Sequence, residues 1–139
     1  MKTIKFEKWQ GLGNDFIILK EEKATPELAK IMCDRNFGIG ADGLFSPVKT
    51  EDTDIGWDFY NSDGSIAQMC GNGIRCFAKF AKQNKLVNKD EFSVKTLAGT
   101  IIPKVLPDGR VQVNMGKPIL EAQKIPVNTD TPQEFEIEG

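Results

Sequence analysis

The chain contains no histidine. That removes Ser–His and Cys–His nucleophile pairs, imidazole general bases and His-containing zinc sites. Any proton transfer near neutral pH falls to Cys, Asp, Glu, Lys or Tyr. Cysteine is scarce as well, with only Cys33, Cys70 and Cys76. An odd count without a secretory-type N-terminus argues against a disulfide framework. No CxxC spacing occurs, so no metal site or thioredoxin-type redox pair is expected. Cys70 and Cys76 on one helix would stand about 9 Å apart, beyond the ~7 Å Cα limit for a bridge.

Strong charge of either sign is also lacking. The formal net charge is −2 and no basic run occurs, so nucleic acid is not an expected partner. No stretch approaches the ~20 apolar residues that span a bilayer. Met1-Lys2-Thr3-Ile4-Lys5-Phe6 alternates polar and apolar residues and lacks the apolar block of a signal peptide. The expectation is a cytoplasmic protein with no membrane partner. With 139 residues, 40% apolar and 27% charged, the composition is that of an ordinary globular domain with a real core.

What the sequence does contain is punctuated. Ile4 to Trp9 alternates like a strand, Gly11 to Asp15 turns, and Phe16 to Leu19 reads as a short buried strand. Thr25 caps a short helix with Pro26 at its first position. Gly38 to Gly43 is a glycine loop, Ile55 to Tyr60 a strand, and Asn61 to Gly64 a turn. A long helix is predicted from Gly71 to Asn84, with Ile74, Phe77, Ala78 and Ala81 as its core stripe and Phe80 widening it. Three strands follow, Phe92–Leu97, Thr100–Leu106 and Arg110–Met115, the last two joined by Pro107-Asp108-Gly109. The pattern predicts an α+β domain with a strongly curved, mostly antiparallel sheet or barrel wrapped around one central helix. Residues 1–117 form that domain. Residues 118–139 read as a proline-punctuated linker and, at Glu134 to Glu138, the first strand of a further domain.

The chemistry concentrates where Cys70 precedes Gly71-Asn72-Gly73. A thiol at a helix N-terminus meets unpaired N–H groups and the positive end of the helix dipole, a setting that favours the thiolate. Two glycines there weaken the helix unless the backbone itself is used. They leave the amides of Gly71 to Gly73 open to an anion. Cys33 and Cys76 read as small core residues. Gly11-Leu12-Gly13-Asn14 lacks the lysine of a Walker loop and the third glycine of a dinucleotide fingerprint. On local grounds Asn61 reads as the start of an Asx-turn.

Gly11–Phe16, Arg35–Gly43, Asn61–Ser65 and Met69–Cys76 together resemble the diaminopimelate epimerases, in family order and spacing from residue 4 to about 120. These are cofactor-independent amino-acid racemases built of two similar halves, each a curved antiparallel sheet around a helix, with the active site between them. The resemblance implies that Cys70 is one of two catalytic cysteines and that the amides of Gly71 and Asn72 receive the substrate α-carboxylate. It places Asn14 and Asn61 at the distal end of diaminopimelate, and implies no cofactor and no metal. Where some members carry glutamine after the loop aspartate, this chain has Gly43. No second Cys-Gly-x-Gly occurs, so a partner is expected: the second half of the enzyme or another copy of the chain. Two rival readings are another racemase of the superfamily and a non-catalytic anion-binding or redox thiol domain.

Overall fold

The computed structural model describes residues 3–125. The expected strand at Glu134 to Glu138 lies outside them. Six strands form one sheet in the order β1 (Phe6–Gly11), β2 (Asn14–Leu19), β3 (Gly43–Val48), β4 (Ile55–Asn61), β5 (Val94–Thr96) and β6 (Gly99–Ile101). The β1/β2, β3/β4 and β5/β6 pairs are antiparallel, whereas β2/β3 and β4/β5 are parallel. A separate hairpin pairs β7 (Lys104–Val105) with β8 (Val111–Gln112). Helix α1 spans Pro26–Cys33 and α2 spans Gly71–Gln83; a 3₁₀ turn covers Ala122–Lys124. Residues 114–121 are exposed and carry no helix or strand.

Local chemistry explains each boundary. Gly11 pairs with Asn14, so the β1–β2 connection is the two-residue Leu12-Gly13, and both residues have positive φ (55° and 82°). Positive φ at both positions is the geometry of the tight hairpin turn that matches strand twist. Thr25 caps α1 by accepting from the Leu28 amide at 3.2 Å, with Pro26 at its first position. Helix α2 ends without glycine. Lys85 takes φ 57°, and the Leu86 amide reaches back to the Ala81 carbonyl at 2.8 Å.

The pleat of β2 sends alternate side chains to opposite faces. Phe16 and Ile18 join Phe45, Trp57, Phe59 and the α2 stripe, while Ile17 and Leu19 pack with Leu44 and the buried face of α1. All four predicted stripe residues of α2 are fully buried. The expected sheet on a central helix therefore describes α2 only; α1 covers the opposite face. The ladder runs from β1 to β6, and the described strands do not close it into a barrel.

The predicted strand Thr100–Leu106 is broken in two. Pro103 cannot donate to a ladder; it is buried, and its carbonyl accepts from the Phe92 amide at 3.3 Å. The expected strand Phe92–Leu97 shortens to Val94–Thr96, and Arg110–Met115 to Val111–Gln112.

Candidate active site

The sheet register builds the site. β2 starts at Asn14, β3 runs parallel to it from Gly43 (opposite Phe16), and antiparallel β4 ends at Asn61 opposite Gly43. Asn14, Asp42 and Asn61 consequently share one end of the sheet. A cleft of about 390 Å³ opens there, lined by Asn14, Asp42, Phe59, Asn61, Ile66 and Cys70 among others. Sequence reasoning names Asn14, Asn61 and Cys70, and the fold brings all three to this cleft.

Cys70 is half-buried and stands as the N-cap of α2 in an extended conformation (φ −143°, ψ 119°). Its Sγ accepts from the Gly73 amide at 3.3 Å. The sequence expectation of three open amides is corrected here: the thiol itself occupies the third. Among the described residues, the amides of Gly71 and Asn72 have no acceptor. Gly73 is needed for packing, because a Cβ on it would stand 2.6 Å from Phe45 Cζ and 3.3 Å from Cys70 Cβ. Gly43, likewise, has no room for a side chain, since a Cβ would meet Phe59 Cε2 at 2.7 Å.

A hydrogen-bonded chain runs beside the thiol. Arg75 donates to the Gly71 carbonyl at 3.1 Å and to Asn72 Oδ1. Asn72 Nδ2 donates to Asn14 Oδ1 at 3.2 Å, and Cys70 Sγ lies 3.5 Å from that same oxygen. Asn14 Nδ2 donates to Asp42 Oδ2 at 2.7 Å. Behind Asp42, Arg35 donates to Asp42 Oδ1 at 3.0 Å and grips Asp15 with two bonds of 2.8 and 3.2 Å. Lys8 adds an ion pair to Asp15 at 2.9 Å. The Arg35 guanidinium first, with Lys8 assisting, holds the Asp15 carboxyl well below the usual carboxylate range. Sequence reasoning assigns no role to Arg35, Asp42 or Arg75. The Asp15–Asp42 link joins residues 27 positions apart, a spacing that leaves no periodic signal.

Asn61 bonds through Nδ2 to Ser65 Oγ at 3.0 Å. The Asx-turn expected of it belongs instead to Asp63, whose Oδ1 accepts from the Ser65 amide at 2.8 Å. Cys33 and Cys76 are buried in the core, as expected. Burial pushes the Cys33 thiol up to about 11 and raises that of Cys76. Only Cys70, of the three, reaches the cleft.

The α+β sheet brings a thiol and two asparagines to one cleft, and the acceptor-free amides of Gly71 and Asn72 follow that thiol directly in α2. The family model "Diaminopimelate epimerase" matches residues 6–121, and the chain belongs to that family. It is 48% identical over 133 residues to a diaminopimelate epimerase of Thermosynechococcus vestitus, covering 89% of this chain and 46% of the relative. With that of Desulforapulum autotrophicum it shares 44% over 135 residues, covering 88% and 48%. The chain thus spans about half the length of the curated relatives it matches. Among solved structures, a PhzF-family phenazine biosynthesis protein of Bacillus anthracis superposes with a TM-score of 0.61 at 19% identity, covering 81% of this chain and 40% of that one. That likeness concerns the fold alone.

Proposed function

We propose that this chain supplies one side of the active site of a diaminopimelate epimerase, interconverting the LL and meso forms of diaminopimelate without a cofactor. The observation that carries the reading is the Cys70 sulfur capping α2 beside the acceptor-free amides of Gly71 and Asn72. In this reading residues 1–117 are one domain, and 118–139 lead into a second that brings the opposing thiol. An exposed apolar group at the cleft supports a covering surface: Ile66 lines it.

Inverting a stereocentre by proton transfer needs a base on one face of the α-carbon and an acid on the other. A thiolate takes the α-proton, and the C–H electron pair becomes a carbanion delocalised into the α-carboxylate. The opposite thiol then delivers its proton to the other face. The amides of Gly71 and Asn72 face the carboxylate, so the charge developing there meets preorganised donors at a helix start. Asn14 and Asn61, which line the same cleft as Cys70, serve the distal end of the substrate.

The test is solvent-deuterium incorporation at the α-carbon of diaminopimelate by the assembled two-thiol enzyme. Cys70→Ser is expected to lower it about 100-fold or more, the ordinary weight of a positioned acid or base. Exchange at the wild-type rate in a folded Cys70→Ser enzyme overturns the reading.

A further inference from the structure

The chain of bonds beside Cys70 has a direction. Every donor points the same way: Arg75 to Asn72, Asn72 to Asn14, Asn14 to Asp42. A guanidinium only donates and a carboxylate only accepts. The two ends therefore fix both amides between them. If Asn14 turned over, its oxygen would face the Asp42 carboxylate and its NH₂ would face that of Asn72. We propose that Asp42, with Arg75 at the far end, is a positioning residue that locks the Asn14 carbonyl oxygen against the Cys70 sulfur. Held so, the oxygen accepts from Cys70 and opposes the pull of the helix start toward the thiolate.

The sulfur's neighbours agree with this. Sγ already accepts from the Gly73 amide at 3.3 Å, and its other near polar partner is Asn14 Oδ1 at 3.5 Å. An S–H satisfies both partners, one as acceptor and one as donor, whereas a bare sulfur anion would sit against an oxygen held in place by charge. The charged groups around the pair are Asp42 with Arg35 and Asp15 behind it, and Arg75 on α2 itself. Arg35 engages Asp42 through Oδ1 and leaves Oδ2 for Asn14 and the Asp15 amide. The inference rests on Cys70 being the reacting thiol, as proposed above. It needs no substrate, so it can fail without the epimerase reading failing.

The experiment is the rate of Cys70 alkylation by iodoacetamide at neutral pH in the 139-residue chain. Asp42→Asn keeps the shape, removes the charge and replaces one acceptor oxygen with a donor, which loosens the hold on Asn14 and lets its NH₂ turn toward the sulfur. Alkylation is expected to rise about fivefold, the equivalent of one ordinary hydrogen bond. Asn14→Ala is expected to rise comparably, and Asp42→Asn is expected to add nothing in the Asn14→Ala background. Continued protection of buried Cys33 and Cys76 reports that each variant is folded. Unchanged or slower alkylation in folded Asp42→Asn overturns the proposal. An equal rise in the Asn14→Ala background also overturns it, because Asp42 would then act by charge through space. Should Asp42→Asn fail to fold, Asn14→Ala decides, and no acceleration there overturns it.

Discussion

Gly73 lies directly on the ring of Phe45, so close that a Cβ on the glycine would come within 2.6 Å of Cζ. Phe45 is itself the hub of the aromatic core, stacked on Phe59 at 4.2 Å and on Trp57 at 4.7 Å between ring centroids. The helix start that presents Cys70 is thereby seated on the most constrained part of the core. The Gly73 amide then fixes the sulfur at 3.3 Å. Core packing sets the position of the thiol through this one residue.

The two glycines after Cys70 are therefore expected to respond differently to alanine. At Gly73 the added methyl must displace Phe45, and overpacking of this kind costs about 1–3 kcal/mol. The gain in helix propensity offsets up to ~1 kcal/mol of that. A net loss of about 1–2 kcal/mol is expected for Gly73→Ala. At Gly71 the methyl meets, among the described residues, Met115 alone, at an ordinary 3.6 Å from Cε and 4.0 Å from Sδ, so Gly71→Ala is expected to be neutral or stabilising. Urea unfolding of the two variants separates them, and equal losses would contradict the packing argument.

The three thiols are expected to differ in reactivity. Cys70 opens onto the cleft, while Cys33 and Cys76 are buried at 2% and 4% exposure. Burial also holds both core thiols above the usual range, Cys33 at about 11. A thiol so raised carries little thiolate at neutral pH. Brief alkylation near pH 8 followed by peptide mapping is expected to label Cys70 alone. Cys33 and Cys76 are expected to react only under denaturant. Labelling of either at a rate near that of Cys70 in the native chain would contradict the structure.

Acid is expected to weaken the protein through Asp15. Its folded carboxyl lies well below the unfolded value of ~3.9 because Arg35 and Lys8 bind its charged form. A depressed carboxyl contributes stability that is present above the unfolded value and lost as pH falls through the folded one. Asp15→Asn is expected to lower stability at neutral pH by about 1 kcal/mol, allowing for screening. It is also expected to flatten the decline in Tm below about pH 4. Thermal melts at stepped pH check this. A decline as steep as that of the unsubstituted chain would remove Asp15 from the account.

Much of this was legible where the signal is local. Thr25-Pro26 marks the start of α1, and the apolar stripe of α2 appears at helical spacing, because capping and periodicity depend on residues only a few positions apart. Cys70 stands out for the same reason, its glycine context being contiguous. The break at Pro103 follows a local rule, yet only the buried carbonyl facing Phe92 shows where the strand stops. The placement of α1 opposite α2 comes from β2 being apolar on both faces, and a short apolar run does not say which neighbour covers which face. The roles of Arg35 and Asp42 depend on strand register, which sets Asn14 beside Asp42 at the ends of β2 and β3, whereas Arg75 reaches Gly71 and Asn72 within its own helix.

The 139-residue chain by itself is expected not to invert diaminopimelate. Its sequence holds three thiols, and two of them are core residues walled off from the cleft. A single thiol can remove an α-proton and return it to the same face; protonating the opposite face needs an acid placed across the substrate. The purified chain is therefore expected to show at most slow deuterium incorporation with retention of configuration. Chiral chromatography of the recovered diaminopimelate, run beside mass spectrometry, distinguishes the two results. Inversion at an enzymatic rate would contradict the argument unless the active species is a dimer that sets two Cys70 thiols across one cleft. Mixing wild-type chain with an excess of Cys70→Ser chain separates these cases. Activity per wild-type chain would then fall steeply if two copies share a site, and would stay constant if one thiol sufficed.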